Sequence, residues 1–231
     1  MATGTATPAT AEDAAAKAAA KAAAADEVHP AEPSVLFERF TSLLEKEMLP
    51  ELHKHTAEGG RIFGGAVLRK SDLSTVIVGS NKDYNGPIYH GETQTCIDFF
   101  ALPAEGRPHP HDCVFVSSHE PCSMCLSCLI WCGFKTIYYF FDYYDSRDQF
   151  DVPHDLDLTK QLFDCDRPPR ETRFYSACGI KDLVPALPSA TERGAAEERV
   201  REVTQLFKQL QEESMKYNHL TSYVWWRNGH F

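Results

Sequence analysis

Hydrophobic positions fall into blocks of different period along this chain. Between Ser34 and Pro50, Leu36, Phe37, Phe40, Leu43, Leu44 and Met48 recur at helical spacing, which predicts an amphipathic helix that stops before the proline. Residues 62–68 and 75–78 are short apolar runs separated by a polar turn, the pattern of a hairpin. Residues 90–102 and 122–132 are expected to be helices, and 113–117 and 136–141 buried strands. The acidic, aromatic stretch 142–170 has no clear period and is expected to be loop with one short helix. Residues 173–177 add a last strand. In 191–217, Val200, Val203, Phe207 and Leu210 share one face of a long helix. The order β-β-α-β-α-β predicts an α/β sandwich.

The flanks differ from this middle. Residues 1–33 are nearly all Ala, Thr, Pro, Lys and Glu, with helix propensity but no apolar stripe to bury, so they are expected to form a disordered tail. The expected organisation is this tail, a domain over 34–188, and a C-terminal helix with an aromatic tail over 189–231. Trp225 and Trp226 in that tail are expected to dock on the chain's own core or on a neighbouring subunit.

Charge and cysteine usage narrow the classes. The net charge is -10, and after residue 34 no block of Lys and Arg would attract a phosphate backbone, so nucleic acid is a disfavoured partner. The longest apolar run is broken by Gly133 and Lys135, too short to span a membrane. The first 30 residues lack the apolar segment of a secretory signal, which points to the cytoplasm. Four of the eight cysteines lie between 122 and 132, a crowding that suits metal chemistry better than disulfides.

The chemistry centres on His90-Gly91-Glu92 and Pro121-Cys122-Ser123-Met124-Cys125, which match the H-x-E and P-C-x-x-C spacing of zinc deaminases. Two thiolates and one imidazole are three protein ligands. A tetrahedral Zn²⁺, one per chain, would keep its fourth position for water or hydroxide, as a catalytic site requires. Glu92 is the candidate proton carrier. The run Cys122, Cys125, Cys128, Cys132 also has the spacing of a ferredoxin, but Gly133 follows it where a proline would stand, and the intervening residues suit a buried helix. On a helix, Cys128 and Cys132 would lie roughly 9 and 15 Å along the axis from Cys122, too far for one metal. They are expected to be small core residues. His119 is expected to be a site-wall or surface residue. The pairs His53/His55 and His109/His111 are expected to be exposed.

These motifs resemble the cytidine and deoxycytidylate deaminase superfamily over about residues 60–180. The resemblance implies a three-layer α/β/α sandwich around a mixed sheet of about five strands. It also implies a homo-oligomer, a dimer foremost. Phe63-Gly64-Gly65-Ala66-Val67-Leu68 is similar to the strand that lines the base pocket. Asn81 resembles an asparagine that hydrogen-bonds the base. Gly91 is similar to fungal cytosine deaminases, where many relatives carry Ala. Glu120 through Leu126 and Ile130-Trp131 resemble the metal helix of guanine deaminases. Phe150-Asp151 resembles a pair in that branch whose aspartate assists proton transfer, although Val152 stands where a second aspartate is usual. The implied activity is hydrolytic deamination of a small aminopurine or aminopyrimidine, guanine-like or cytosine-like, as base or nucleoside, with release of ammonia. Two alternatives are deamination of adenosine in transfer RNA and a catalytically silent zinc-binding partner subunit.

Overall fold

The computed structural model describes residues 31–217. Most of the alanine-rich segment, together with Trp225 and Trp226, lies outside them. Five strands form one mixed sheet in the order β2-β1-β3-β4-β5. They are β1 Gly64–Arg69, β2 Thr75–Ser80, β3 Cys113–His119, β4 Thr136–Phe141 and β5 Ser176–Gly179. The β1 strand pairs antiparallel with β2 and β3, whereas β3, β4 and β5 run parallel.

Alternation along the central strands sorts the core into two layers. Ala66, Leu68, Val114, Val116, Tyr138 and Phe140 point to one face, and Val67, Phe115 and Ile137 to the other. Both sets are buried, as expected of strands covered on both sides. Helices α3 (Gly91–Ala101) and α4 (Ser123–Cys132) cover the second face through Cys96, Phe99 and Leu129. The first face is covered by α1 (Pro33–Leu43), α2 (Leu49–Thr56) and α7 (Ala190–Lys216). The molecule is therefore a three-layer α/β/α sandwich.

Three local expectations change. The first helix does not stop before Pro50. A π-helical segment, Leu44–Met48, joins α1 to α2, and Pro50 falls in the first turn of α2, where its missing N–H costs little. The stretch expected to be mostly loop holds two helices, α5 (Tyr143–Phe150) and α6 (His154–Phe163). Asp142 caps α5 in a reciprocal box with Asp145, a start signal that composition obscured. Of the histidine pairs, His55 is buried, hydrogen-bonded through its ring to Glu51 and Glu58.

Helix α7 is integral to the core. Val203, Phe207 and Leu210 are fully buried, and the Phe207 ring lies 5.3 Å from Phe141 and 6.0 Å from His119. Its start is fixed by a second box, Ser189 with Glu192. Truncating Phe207→Ala should therefore cost about 3–5 kcal/mol of stability. Urea unfolding of the variant would measure it; a loss well under 1 kcal/mol would mean that α7 is not part of the folded core.

Candidate active site

Two helix N-termini meet at the ends of the parallel strands. Strand β3 ends at His119, Glu120 and Pro121 follow, and Cys122 is the N-cap of α4. Helix α3 begins with His90 as its N-cap. The His90 Nδ1 lies 3.6 Å from the Sγ of Cys122 and 3.6 Å from that of Cys125. A tetrahedral ion with metal–sulfur bonds of about 2.3 Å and a metal–nitrogen bond of about 2.1 Å places N and S roughly 3.6 Å apart. The three donors, all within 4.8 Å of one another, therefore fit a zinc ion.

The charges around them are strongly coupled. Hydrogen bonding from Cys125, aided by His90, holds the Cys122 thiol well below its usual range, while Cys125 as the donor is pushed well above it. Burial opposes charging of the His90 imidazole, but the hydrogen bond and charge of Cys122 outweigh it and the pKa rises. Both thiols sit in the first turn of α4, where unpaired N–H groups favour a thiolate. Glu92, two residues past His90, is buried, and its Oε1 accepts from Ser117 Oγ at 2.9 Å. Burial, then the Cys122 charge, raises its carboxyl pKa, the direction a proton carrier near neutral pH needs.

These groups open into a cavity of about 330 Å³, large enough for one heterocyclic base. Phe63, Val152 and Leu158 give it apolar walls. Asn81 also lines it and is buried. The Asn81 Oδ1 accepts from the backbone N–H groups of Arg61 at 3.0 Å and Asp83 at 3.2 Å, which fixes the orientation of the amide.

Asp151 does not take the place that the sequence suggested. It is exposed, ends α5 in a left-handed conformation with φ 57°, and is absent from the cavity wall. The chain turns there and enters α6, whose first turn brings Asp155 to the cavity instead. Burial, reinforced by the Cys122 charge, pushes the Asp155 carboxyl up to about 7. The sequence pattern does not disclose this residue because 142–170 has no clear period; the two acids at the start of an apolar run, Asp155 and Asp157, are the available signal.

His119 forms the cavity floor. It is 2% exposed and ringed by Phe63, Phe141, Phe150 and Phe207, with centroids 4.6–6.0 Å away. Its Nδ1 meets Ser118 Oγ at 3.1 Å, and among the described residues its Nε2 has no hydrogen-bond partner. Burial pulls its pKa down to about 3, so it is a neutral wall. Beside it, Arg167 holds the buried Glu120 carboxylate with Nη2–Oε2 at 2.6 Å.

Residues 42–141 match the family described as the cytidine and deoxycytidylate deaminase zinc-binding region. Among solved structures, the guanine deaminase of Nitrosomonas europaea is similar at 19% identity, covering 76% of this chain and 86% of that one, with a TM-score of 0.40. The guanine deaminase of Bacillus subtilis is similar at 23% identity, covering 62% of this chain and 90% of that one, with a TM-score of 0.38. No curated protein sequence matches.

Two predictions rest on this geometry. A Cβ at Gly91 would stand 2.5 Å from the Phe63 carbonyl oxygen and 2.8 Å from Gly64 Cα, both backbone. Gly91→Ala should therefore lose about 1–3 kcal/mol and retain metal less well, read by thermal unfolding and metal analysis. An unchanged Tm would show that the helix seats without this contact. His119 has a folded pKa below its unfolded value of 6.5, so the unfolded state binds the extra proton as pH falls. Its contribution to stability is complete above pH 6.5 and is lost as pH falls from there toward about 3. In His119→Phe, unfolding midpoints over pH 6.5–4 should fall less steeply than in the parent; parallel curves would contradict the buried neutral ring.

Proposed function

We propose that this chain, which carries the zinc-binding region of the cytidine and deoxycytidylate deaminases over residues 42–141, is a zinc-dependent hydrolytic deaminase of a small aminopurine or aminopyrimidine. The observation that carries the reading is the His90 Nδ1 set 3.6 Å from two thiols, with buried Glu92 beside it, at the end of a base-sized cavity.

His90, Cys122 and Cys125 would hold the ion. When bound, it supplies a Lewis acid that makes water a nucleophile near neutral pH. Glu92 takes the proton from the attacking water and returns it to the departing amine. Its raised pKa suits both halves of that transfer, and the Ser117 hydroxyl keeps one carboxylate oxygen in place. The base lies between the apolar walls formed by Phe63, Val152 and Leu158. With its Oδ1 held by two backbone N–H groups, Asn81 has its amide N–H left to donate to a ring carbonyl. Asp155, near neutrality, serves as the partner of a protonated ring nitrogen and stands where the resemblance suggested Asp151 as an aid to proton transfer.

Guanine-like and cytosine-like rings both offer the amino-carbon next to a ring nitrogen that this arrangement acts on. The acidic balance of the chain and the small cavity support a free base or nucleoside over a polynucleotide. Among the described residues no helix is long and apolar enough to cross a membrane. A cytoplasmic homodimer working in nucleobase salvage is the setting that goes with this reading.

The test is ammonia release by the zinc-loaded protein across cytosine, guanine, adenine and their nucleosides. Glu92→Ala should keep the ion and lose about 10²–10⁴-fold in turnover, whereas Cys122→Ala should lose the ion. Unimpaired turnover in Glu92→Ala would sink the mechanism, and a fully inert, zinc-loaded parent would favour the silent-subunit alternative.

A further inference from the structure

The seam between α3 and α4 holds a second meeting of thiols. Cys96 lies six residues beyond His90 on α3, and Cys128 lies six beyond Cys122 on α4. Cys132, one turn further on, shares the Cys128 face of that helix. The three sulfurs all lie within 4.8 Å of one another. Cys96 is buried, Cys128 and Cys132 are half-buried, and all three are free thiols. The two helices start side by side, so the cluster sits about 9 Å further along the seam than the first site. None of its members enters the reaction proposed above.

A thiol acting as a small hydrophobe has no need of other thiols nearby. Here three sulfurs from two helices converge on one point. A trigonal ion with bonds of about 2.3 Å needs sulfurs about 4 Å apart, within the observed envelope. Cys132 also lines a shallow surface cavity with Arg107, His109 and His111, which gives a path from solvent. Among the described residues no fourth donor joins the group, and three thiolates suit a soft closed-shell ion that accepts three-coordination better than a four-coordinate structural zinc.

We propose that Cys96, Cys128 and Cys132 form a second metal site, a three-thiolate cradle for a soft monovalent cation of the Cu(I) type. Binding replaces S–H bonds by S–metal bonds and releases the thiol protons to solvent; no electron changes hands.

The test titrates the full-length, zinc-loaded chain with Cu(I), anaerobically, against a chromophoric Cu(I) chelator. The parent should withdraw one equivalent while keeping its zinc. Cys128→Ala and Cys132→Ala change half-buried positions, and each should lose that equivalent while zinc content and ammonia release stay unchanged. Cys122→Ala should lose zinc yet still take up Cu(I), so the fate of the first site does not decide that of the second. Equal Cu(I) uptake by the parent and both cluster variants, or uptake only as zinc leaves, would overturn the proposal. A second zinc in the purified parent that disappears in Cys128→Ala would overturn the assignment to a monovalent ion.

Discussion

Much of the molecule depends on how closely α3 seats against β1. The Gly91 backbone approaches Phe63 and Gly64 so nearly that a single methyl group would collide with main-chain atoms. That seating sets the height of His90, and with it the 3.6 Å separations to Cys122 and Cys125. An ion of fixed bond length tolerates errors of only a few tenths of an ångström. The sheet supplies this precision because Gly64 and Ser117, on paired strands, hold the neighbours of the same site. The Gly64 N–H donates to Ser118 Oγ at 2.9 Å, and the Ser117 hydroxyl donates to Glu92.

The opposite layer reaches the same point from behind. Phe141, Phe150 and Phe207 come from a strand, a short helix and the long C-terminal helix, and they enclose His119 below the cavity. A neutral imidazole in an aromatic box keeps the floor dry while presenting a polar edge. Stability and function share this cluster, since the residues that anchor α7 also shape the cavity floor. Dry walls in turn raise the carboxyl groups of Glu92 and Asp155, because burial penalises their charged forms.

The two thiol clusters on the α3–α4 seam arise from one geometric fact. Helices that start together and pack side by side can meet at more than one turn along the seam. At the first turn this gathers His90, Cys122 and Cys125. Further along, it gathers Cys96, Cys128 and Cys132. Gly133, in the left-handed region at φ 91°, ends α4 one residue after the last of them.

The chain's own pattern of residues determined a good deal. The short apolar runs of the strands, the order of elements and the H-x-E and P-C-x-x-C spacings were all readable, because each depends on neighbours within a few residues or on a chemistry that permits few side chains. Those signals predicted an α/β sandwich, to which the family resemblance added the three layers, and they named the residues that the structure brings together at the first site. Tertiary structure alone decided what depends on distant segments meeting. It carried the first helix through Pro50, placed Asp155 at the cavity in place of Asp151, and enclosed His119 among rings from three elements and the loop before β1. It also joined Cys96 to Cys128 and Cys132. Seen along one helix, those two cysteines were simply too far from Cys122. Only the packing of a second helix, fixed by the sheet beneath both, could show that they face a different partner.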